Sequence, residues 1–287
     1  MSRIVYVNGR YVPYGQAAVH VEDRGFQFGD AIYEVCEVRG GRLIDEARHV
    51  ARLERSLGEL RIPRPMSAPA LAHVMREVIR RNRVRDGAVY LQVSRGVGPR
   101  DFYFPGPEVV PTVVCMARAV SPEVSAARAL SGIAVKSMPE IRWGRCDIKT
   151  VMLLPACLAK EAAREEGASE AWFVDRDGYV TEGASSNAWI VDDQGTVTTR
   201  PLGMDILPGV TRATVRDVLQ KEQIRLVERP FLLSEAQSAR EAFITSATQT
   251  VMPVVRIDGH PVGDGKPGPV ATLLRQKFHQ FAAISHI

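Results

Sequence analysis

"AIYEVCEVRGGRLIDEARHVARLERSLGEL", residues 31 to 60, changes its period halfway along. The first half reads as a hairpin: a β-rich run, a turn at Gly40-Gly41, and a return through Arg42-Leu43-Ile44. From about residue 46 the apolar residues Val50, Leu53, Leu57 and Leu60 recur at helical spacing, the stripe of an amphipathic helix. A hairpin that runs into a helix makes this part of the chain mixed α/β.

Outward from this stretch the same mixture continues. "RIVYVNGRYV" predicts an earlier hairpin around Asn8-Gly9; a helix is expected over 68–82, followed by strands in "AVYLQVSR" and "TVVCMAR". Residues 118–130, with Ser-Pro and several alanines, read as a connector. Beyond it lie a strand around 131–137, a helix around 151–166, strands around 170–174 and 188–191, and a helix around 211–221. The predicted organisation is a small N-terminal α/β domain (1–118), an interdomain connector (119–130) and a larger C-terminal α/β domain (131–287).

Composition narrows the function classes. With 45% hydrophobic and 24% charged residues the chain reads as a folded globule rather than a disordered one. A net charge of +4 invites an anionic partner, but no long basic block and no basic run interleaved with aromatics is present, so no nucleic acid is expected. No apolar stretch of about 18 residues predicts a membrane span, and the opening "MSRIVYVNGRYVPYG" reads as strand and turn rather than as an export signal. Cys36, Cys115, Cys146 and Cys157 show no paired spacing, which predicts reduced thiols and a cytoplasmic protein. His20, His49, His73, His260, His279 and His286 include no HxxxH pair, so no metal is expected. GxGxxG after a strand, GxxxxGK[ST] and GxSxG are all missing.

Only six of the 37 Lys and Arg side chains are lysines: Lys136, Lys149, Lys160, Lys221, Lys266 and Lys277. Lys160, Lys221 and Lys277 fall among charged residues of expected helices, where an ammonium is ordinarily solvated. Lys149 differs. In "RWGRCDIKTVMLLP", residues 142–155, it precedes an apolar run, so its stem can enter a partly apolar cavity. A lysine desolvated this way loses its proton more readily and can form a Schiff base with a carbonyl. Alternatively it is a boundary residue whose ammonium snorkels to water.

Six blocks in order carry a resemblance: "EDRGFQFGDAIYEV" (22–35), "HVARL" (49–53), "EIRWGRCDIK" (140–149), "TEGASSNAW" (181–189), "LPGVTR" (207–212) and "TSATQTVMPV" (245–254). With them the chain resembles the fold-type IV, pyridoxal-phosphate-dependent aminotransferases, and within these the bacterial D-amino-acid aminotransferases. The resemblance implies two α/β domains with the cofactor at the interdomain cleft, and a homodimer that completes the active sites. It implies that Lys149 holds pyridoxal 5'-phosphate as a Schiff base and shuttles a proton between the substrate α-carbon and cofactor C4′. Glu182, locally readable as an exposed turn carboxylate, matches the partner of the ring nitrogen. Arg52, locally a solvated helix arginine, matches a phosphate contact.

The remaining cofactor residues follow the same blocks. Leu207, Val210 and Thr211 lie at the start of a helix, whose N-H groups and dipole suit an anion. Ala247 stands where many relatives carry a phosphate-contacting threonine and retains a backbone donor, with Ser246 or Thr248 as substitutes; Ser185 and Ser186 can assist. For the substrate the resemblance implies Tyr33, Val35 and Arg100, the last reaching the neighbouring active site to bind a carboxylate. One position departs from the family pattern: Phe102 replaces an expected histidine two residues beyond Arg100, removing a hydrogen-bond donor. Arg95 either compensates or supports the loop.

The function implied is amino transfer from a D-amino acid to a 2-oxo acid such as pyruvate or 2-oxoglutarate. (R)-amine transaminase, branched-chain L-amino-acid aminotransferase and aminodeoxychorismate lyase share the framework and stay open. Outside enzymes, an inactive cofactor-binding protein or a basic nucleic-acid-binding globule is the alternative.

Overall fold

In the computed structural model, which describes residues 3–285, the chain forms two compact units. One runs through Pro122 and takes back Ile148–Met152 and the segment from Ala283; the other holds Glu123–Asp147 and Leu153–Ala282. His286 lies outside the described residues.

The first unit contains β1 (Ile4–Val7), β2 (Arg10–Pro13), α1 (Arg24–Phe28), β3 (Ala31–Arg39), β4 (Arg42–Leu43), α2 (Glu46–Glu59), α3 (Ala68–Asn82), β5 (Gly87–Ser94) and β6 (Thr112–Ala119). Among the described residues they form a six-stranded antiparallel sheet in the order β2-β1-β6-β5-β3-β4. Both hairpins turn where expected, with Asn8, Gly9, Gly40 and Gly41 all at positive φ. α2 packs on β3, and α3 packs on β6 and β1. Ser67 caps α3 by accepting from the Ala70 N-H at 3.4 Å.

Period-2 alternation divides β3 between two faces. Ile32, Glu34, Cys36 and Val38 are buried, whereas Tyr33, Val35 and Glu37 are half-buried. β4 pairs only with Val38 and Arg39, leaving the edge of β3 open near its start. The segment Ile148–Met152 fills that edge: Ile32 bridges Thr150, the Tyr33 N-H donates to the Lys149 carbonyl at 3.0 Å, and the Val151 N-H donates to the Ala31 carbonyl at 3.1 Å. The apolar run after Lys149 is therefore irregular at first, and the helix expected from 151 begins only at Leu154.

The second unit contains α4 (Pro122–Ser131), β7 (Ile133–Pro139), α5 (Leu154–Glu165), β8 (Glu170–Val174), β9 (Val180–Gly183), β10 (Asn187–Val191), β11 (Val197–Thr199), α6 (Val210–Lys221), β12 (Leu226–Glu228), α7 (Leu233–Ser238), β13 (Glu241–Ser246), β14 (Thr250–Ile257), β15 (His260–Pro261) and α8 (Pro269–Phe281). The sheet runs β12-β11-β10-β13-β14-β7-β8-β9, with β15 on β14, and is mixed: β7 pairs parallel with β8 and with β14. "EAWFV" in β8 and "NAWIV" in β10 do not alternate because both their faces are covered. Phe173 packs with Ala159 and Ala163 of α5, while Trp172 joins a cluster with Phe231, Ile244 and Met252.

The stretch expected as a plain connector contains α4. Its Ser121-Pro122 start looks like a helix breaker, but proline fits the first helical position, where its missing N-H is not needed.

Leu53 is 2% exposed in the first unit's core, whereas Leu130, near the end of α4 in the second, is 83% exposed. Leu53→Ala is expected to cost about 2–5 kcal/mol and Leu130→Gln less than about 0.5 kcal/mol. Urea unfolding midpoints of both variants check this.

Candidate functional site

In the first unit Lys149 is fixed through its backbone. Its carbonyl accepts from Tyr33, and its N-H donates to Ser56 Oγ of α2 at 3.4 Å. Its ammonium lies 4.1 Å from the centroid of the Tyr33 ring. Tyr33 and Val35 pair across the sheet with Gln92 and Tyr90, so these four share a face. The Tyr90 ring stacks on Tyr33, and its hydroxyl donates to Gln92 Oε1 at 2.6 Å. Burial, with the neighbouring Tyr33, pushes the Tyr90 phenol up to about 12, so it remains a neutral donor.

The other face of β3 carries a buried charge cluster. Arg52 donates from Nε and Nη2 to the two oxygens of Glu34 at 2.8 and 2.7 Å, and His49 Nδ1 lies 2.7 Å from Glu34 Oε2. Burial disfavours the Glu34 carboxylate, but the Arg52 charge and the hydrogen bonds from Arg52 and His49 outweigh it and lower the pKa to about 2. Arg52 is thus a buried, oriented guanidinium rather than a solvated one. The buried side of α2 is His49, Arg52, Leu53, Ser56 and Leu57, with Val50 only half-buried.

Arg100 and Phe102 lie exposed on the loop after β5, and both pack near Phe28: the Arg100 guanidinium is 5.4 Å from that ring's centroid and the Phe102 centroid 5.9 Å. Arg95 is buried and engaged elsewhere. It donates to Asp30 and to the Leu60 and Arg61 carbonyls, and its guanidinium sits 3.6 Å from the centroid of Phe104. Arg24 shares Asp30 at 2.8 Å and donates to the Asp101 carbonyl at 2.7 Å. Arg95 therefore supports the loop, together with Arg24.

In the second unit Glu182 is a buried strand residue, not an exposed turn carboxylate. Its Oε1 accepts from Arg142 Nη1 at 2.5 Å; its Oε2 accepts from Asn187 Nδ2 at 3.0 Å and from the Leu207 N-H at 3.1 Å. The Leu207 carbonyl accepts from the same Asn187 amide at 3.0 Å. Gly209 follows as the N-cap of α6, and a Cβ there would come within 2.1 Å of Asn187 Oδ1. No side chain caps this helix, so the N-H groups around Val210 and Thr211 are presented to an anion.

Ser246 Oγ is buried with no hydrogen-bond partner among the described residues, a donor left for a ligand. Ala247 follows in the β13–β14 turn, and Thr248 is exposed. The Ser185 and Ser186 hydroxyls are engaged instead by fully buried Glu170, at 2.7 and 3.1 Å. Lys160, expected to be solvated, also turns to Glu170, with Nζ 3.2 Å from Oε1. The donor set of the second unit, an uncapped helix start and an orphaned hydroxyl, suits a phosphate; the Glu182 carboxylate suits a protonated ring nitrogen. Among the described residues there is no metal-holding group of three or more His, Cys, Asp or Glu.

Arg142, Asn187, Glu34, His49, Tyr90 and Gln92 were not recognisable as parts of these arrangements. Two signals were available: polar residues at core phase in α2, and polar or aromatic residues at alternate positions of β5.

The chain is similar to known proteins over most of its length. Residues 31–257 match the family described as amino-transferase class IV. D-alanine aminotransferase from Staphylococcus haemolyticus is 38% identical over 96% of this chain and 97% of its own. The Bacillus licheniformis D-alanine aminotransferase is 39% identical over 93% and 92%. A branched-chain amino acid aminotransferase from Escherichia coli superposes with a TM-score of 0.85 at 25% identity, covering 97% of this chain and 94% of the other.

Glu34→Gln keeps the shape of the side chain and removes the counter-charge Glu34 gives the buried Arg52, an expected cost of about 3–5 kcal/mol at neutral pH. The Glu34 pKa is lower folded than unfolded, so its contribution is complete above the ordinary carboxylate range and is lost as the pH falls toward about 2. Urea unfolding of both proteins across pH is expected to show a stability gap that is widest at neutral pH and closes in acid.

Proposed function

Because the chain belongs to the class IV aminotransferase family, we propose that it moves the amino group of a D-amino acid onto a 2-oxo acid such as pyruvate or 2-oxoglutarate, with pyridoxal 5'-phosphate held covalently at Lys149. The observation that carries this reading is the fixing of Lys149: a backbone tied to β3 and α2 directs its amine to the Tyr33 ring. The D-alanine aminotransferase relatives support the donor class.

The bound cofactor supplies an electron sink for charge developing at the donor α-carbon. This chain's residues do the rest. Lys149 Nζ would hold the cofactor, and its amine would move a proton at the donor α-carbon. Glu182 accepts from the ring nitrogen and favours its protonated form. Arg52, the α6 N-H groups at Val210 and Thr211, Ser246 Oγ and the Ala247 backbone hold the phosphate, with Leu207, Ser185, Ser186 and Thr248 around them. Tyr33, Val35, Arg100 and Phe102 meet the substrate, Arg100 through its carboxylate.

Phe102 favours a second reading. It offers no hydrogen bond where a carboxylate would need one, which makes an (R)-amine without that group less disfavoured. The exposed apolar side chains Val21, Phe26, Phe102, Tyr103 and Val110 support a homodimer that covers them. Among the described residues the four cysteines are free and no helix is long and apolar enough to cross a membrane; we read the enzyme as cytoplasmic.

Lys149→Ala is expected to lack the visible absorption band of lysine-bound cofactor and to lose turnover by about 10³-fold or more, the scale of a removed proton carrier. Steady-state kinetics and the absorption spectrum check it. Arg100→Ala is expected to weaken use of a D-amino acid and of pyruvate by about tenfold or more, from lost charged hydrogen bonds. The loss for an (R)-amine donor is expected to be smaller, and the two donors are compared in half-reactions.

A further inference from the structure

Behind Glu182 lies a second carboxylate that the proposed chemistry does not use. Glu140, at the foot of β7, receives Arg142 as a fork: Nε donates to Oε1 at 2.9 Å and Nη2 to Oε2 at 2.6 Å, while the Arg142 backbone N-H also reaches Oε1 at 3.0 Å. Thr181, the neighbour of Glu182 in β9, donates to Glu140 Oε2 at 2.8 Å. Arg142 then spends Nη1 on Glu182 and a further Nη2 bond, 3.1 Å, on the Asp205 carbonyl, and its guanidinium lies 4.6 Å from the centroid of Phe173. With its side chain 13% exposed, Arg142 is locked between two acids.

The other charged groups around this chain are engaged with partners of their own or neutral. The Asp205 carboxylate is paired with Arg200, which also faces Asp175 at 3.3 Å. On α6, Arg212, whose charge also acts on Glu182, shares Glu228 with Arg216, at 2.5 and 3.5 Å, and Arg145 pairs with Asp147 at 2.9 Å. Burial pushes the Cys146 thiol up to about 12, so it stays neutral, and its Sγ donates to the Trp143 carbonyl at 3.2 Å. Asn187 and Leu207 bring only neutral donors to Glu182. Two carboxylates and one guanidinium leave the Glu140–Arg142–Glu182 chain with one negative charge.

We propose that Glu140 and Arg142 are positioning residues that set the proton affinity of the cofactor's ring nitrogen through Glu182, Arg142 lowering it and Glu140 raising it. The inference rests on the reading that Glu182 is the ring-nitrogen partner. Arg142 alone would neutralise Glu182 and weaken its hold on a protonated nitrogen. Glu140 restores the missing charge, so the chain's one negative charge matches one pyridinium. The rigid fork also holds Glu182 Oε1 in place and leaves the carboxylate one orientation. Burial opposes charge on both Glu140 and Arg142, yet their mutual hydrogen bonds and charges favour the ionised forms: the Glu140 pKa is lowered and the Arg142 pKa raised.

The test is the ring-nitrogen resonance of pyridoxal 5'-phosphate labelled with nitrogen-15, followed against pH in the holoenzyme of wild type, Glu140→Gln, Arg142→Gln and Glu182→Gln. Each protein is first compared by thermal melting without cofactor. Glu140→Gln, which keeps the shape, is expected to lower the midpoint of ring-nitrogen protonation by about one pH unit, a tenfold loss of proton affinity from removing one partly shielded charge. Arg142→Gln is expected to move the midpoint the other way. Opposite signs are the signature, because loss of packing alone would not raise proton affinity in one variant and lower it in the other. If Arg142→Gln does not fold, Glu140→Gln decides alone. An unmoved resonance in Glu182→Gln would overturn the reading of Glu182 itself. A resonance that moves in Glu182→Gln but stays in place in Glu140→Gln would leave that reading standing and overturn the role of Glu140 and Arg142.

Discussion

Backbone pairing between Ile148–Met152 and the open edge of β3 is the constraint on which the candidate chemistry depends. β4 is too short to cover that edge, and unpaired strand groups away from water are costly, so a returning segment is needed. That return fixes Lys149 by its main chain, and its amine does not have to be steered by side-chain packing alone. The period of β3 then divides the labour: Tyr33 and Val35 share a face with Tyr90 and Gln92, while Glu34 turns to α2 and takes hold of Arg52.

A second pattern runs through both units. Buried and half-buried carboxylates are held by arginines: Glu34 by Arg52, Asp30 by Arg95 and Arg24, Glu182 and Glu140 by Arg142. A guanidinium does not give up its proton, so each of these arginines supplies a lasting positive charge.

The hairpins, α2, α3 and most strands were legible because periodicity and glycine turns report local backbone preference. α4 was not, since Ser121-Pro122 read as an interruption when it is a helix start. The helix expected from 151 was started three residues early because β3, the partner that holds the preceding segment, lies more than a hundred residues earlier in the chain. Lys149 and Glu182 stood out through ordered sequence blocks, whereas Arg142 and Asn187 acquire meaning only from contacts that folding creates. The apolar stripe assigned to α2 was rotated slightly: His49, Arg52 and Ser56 occupy buried positions that a hydrophobic pattern passes over. Polar residues at core phase are where such a reading fails, and they are also where the charge chemistry sits.

Whether Lys149 is the amine that carries the cofactor is decided by borohydride reduction of the protein loaded with pyridoxal 5'-phosphate, followed by peptide mapping with mass spectrometry. Reduction fixes the cofactor to whichever lysine holds it. The phosphopyridoxyl group is expected on the peptide carrying Lys149 and on no other lysine. Stoichiometric labelling of another lysine, with Lys149 unmodified, would contradict it.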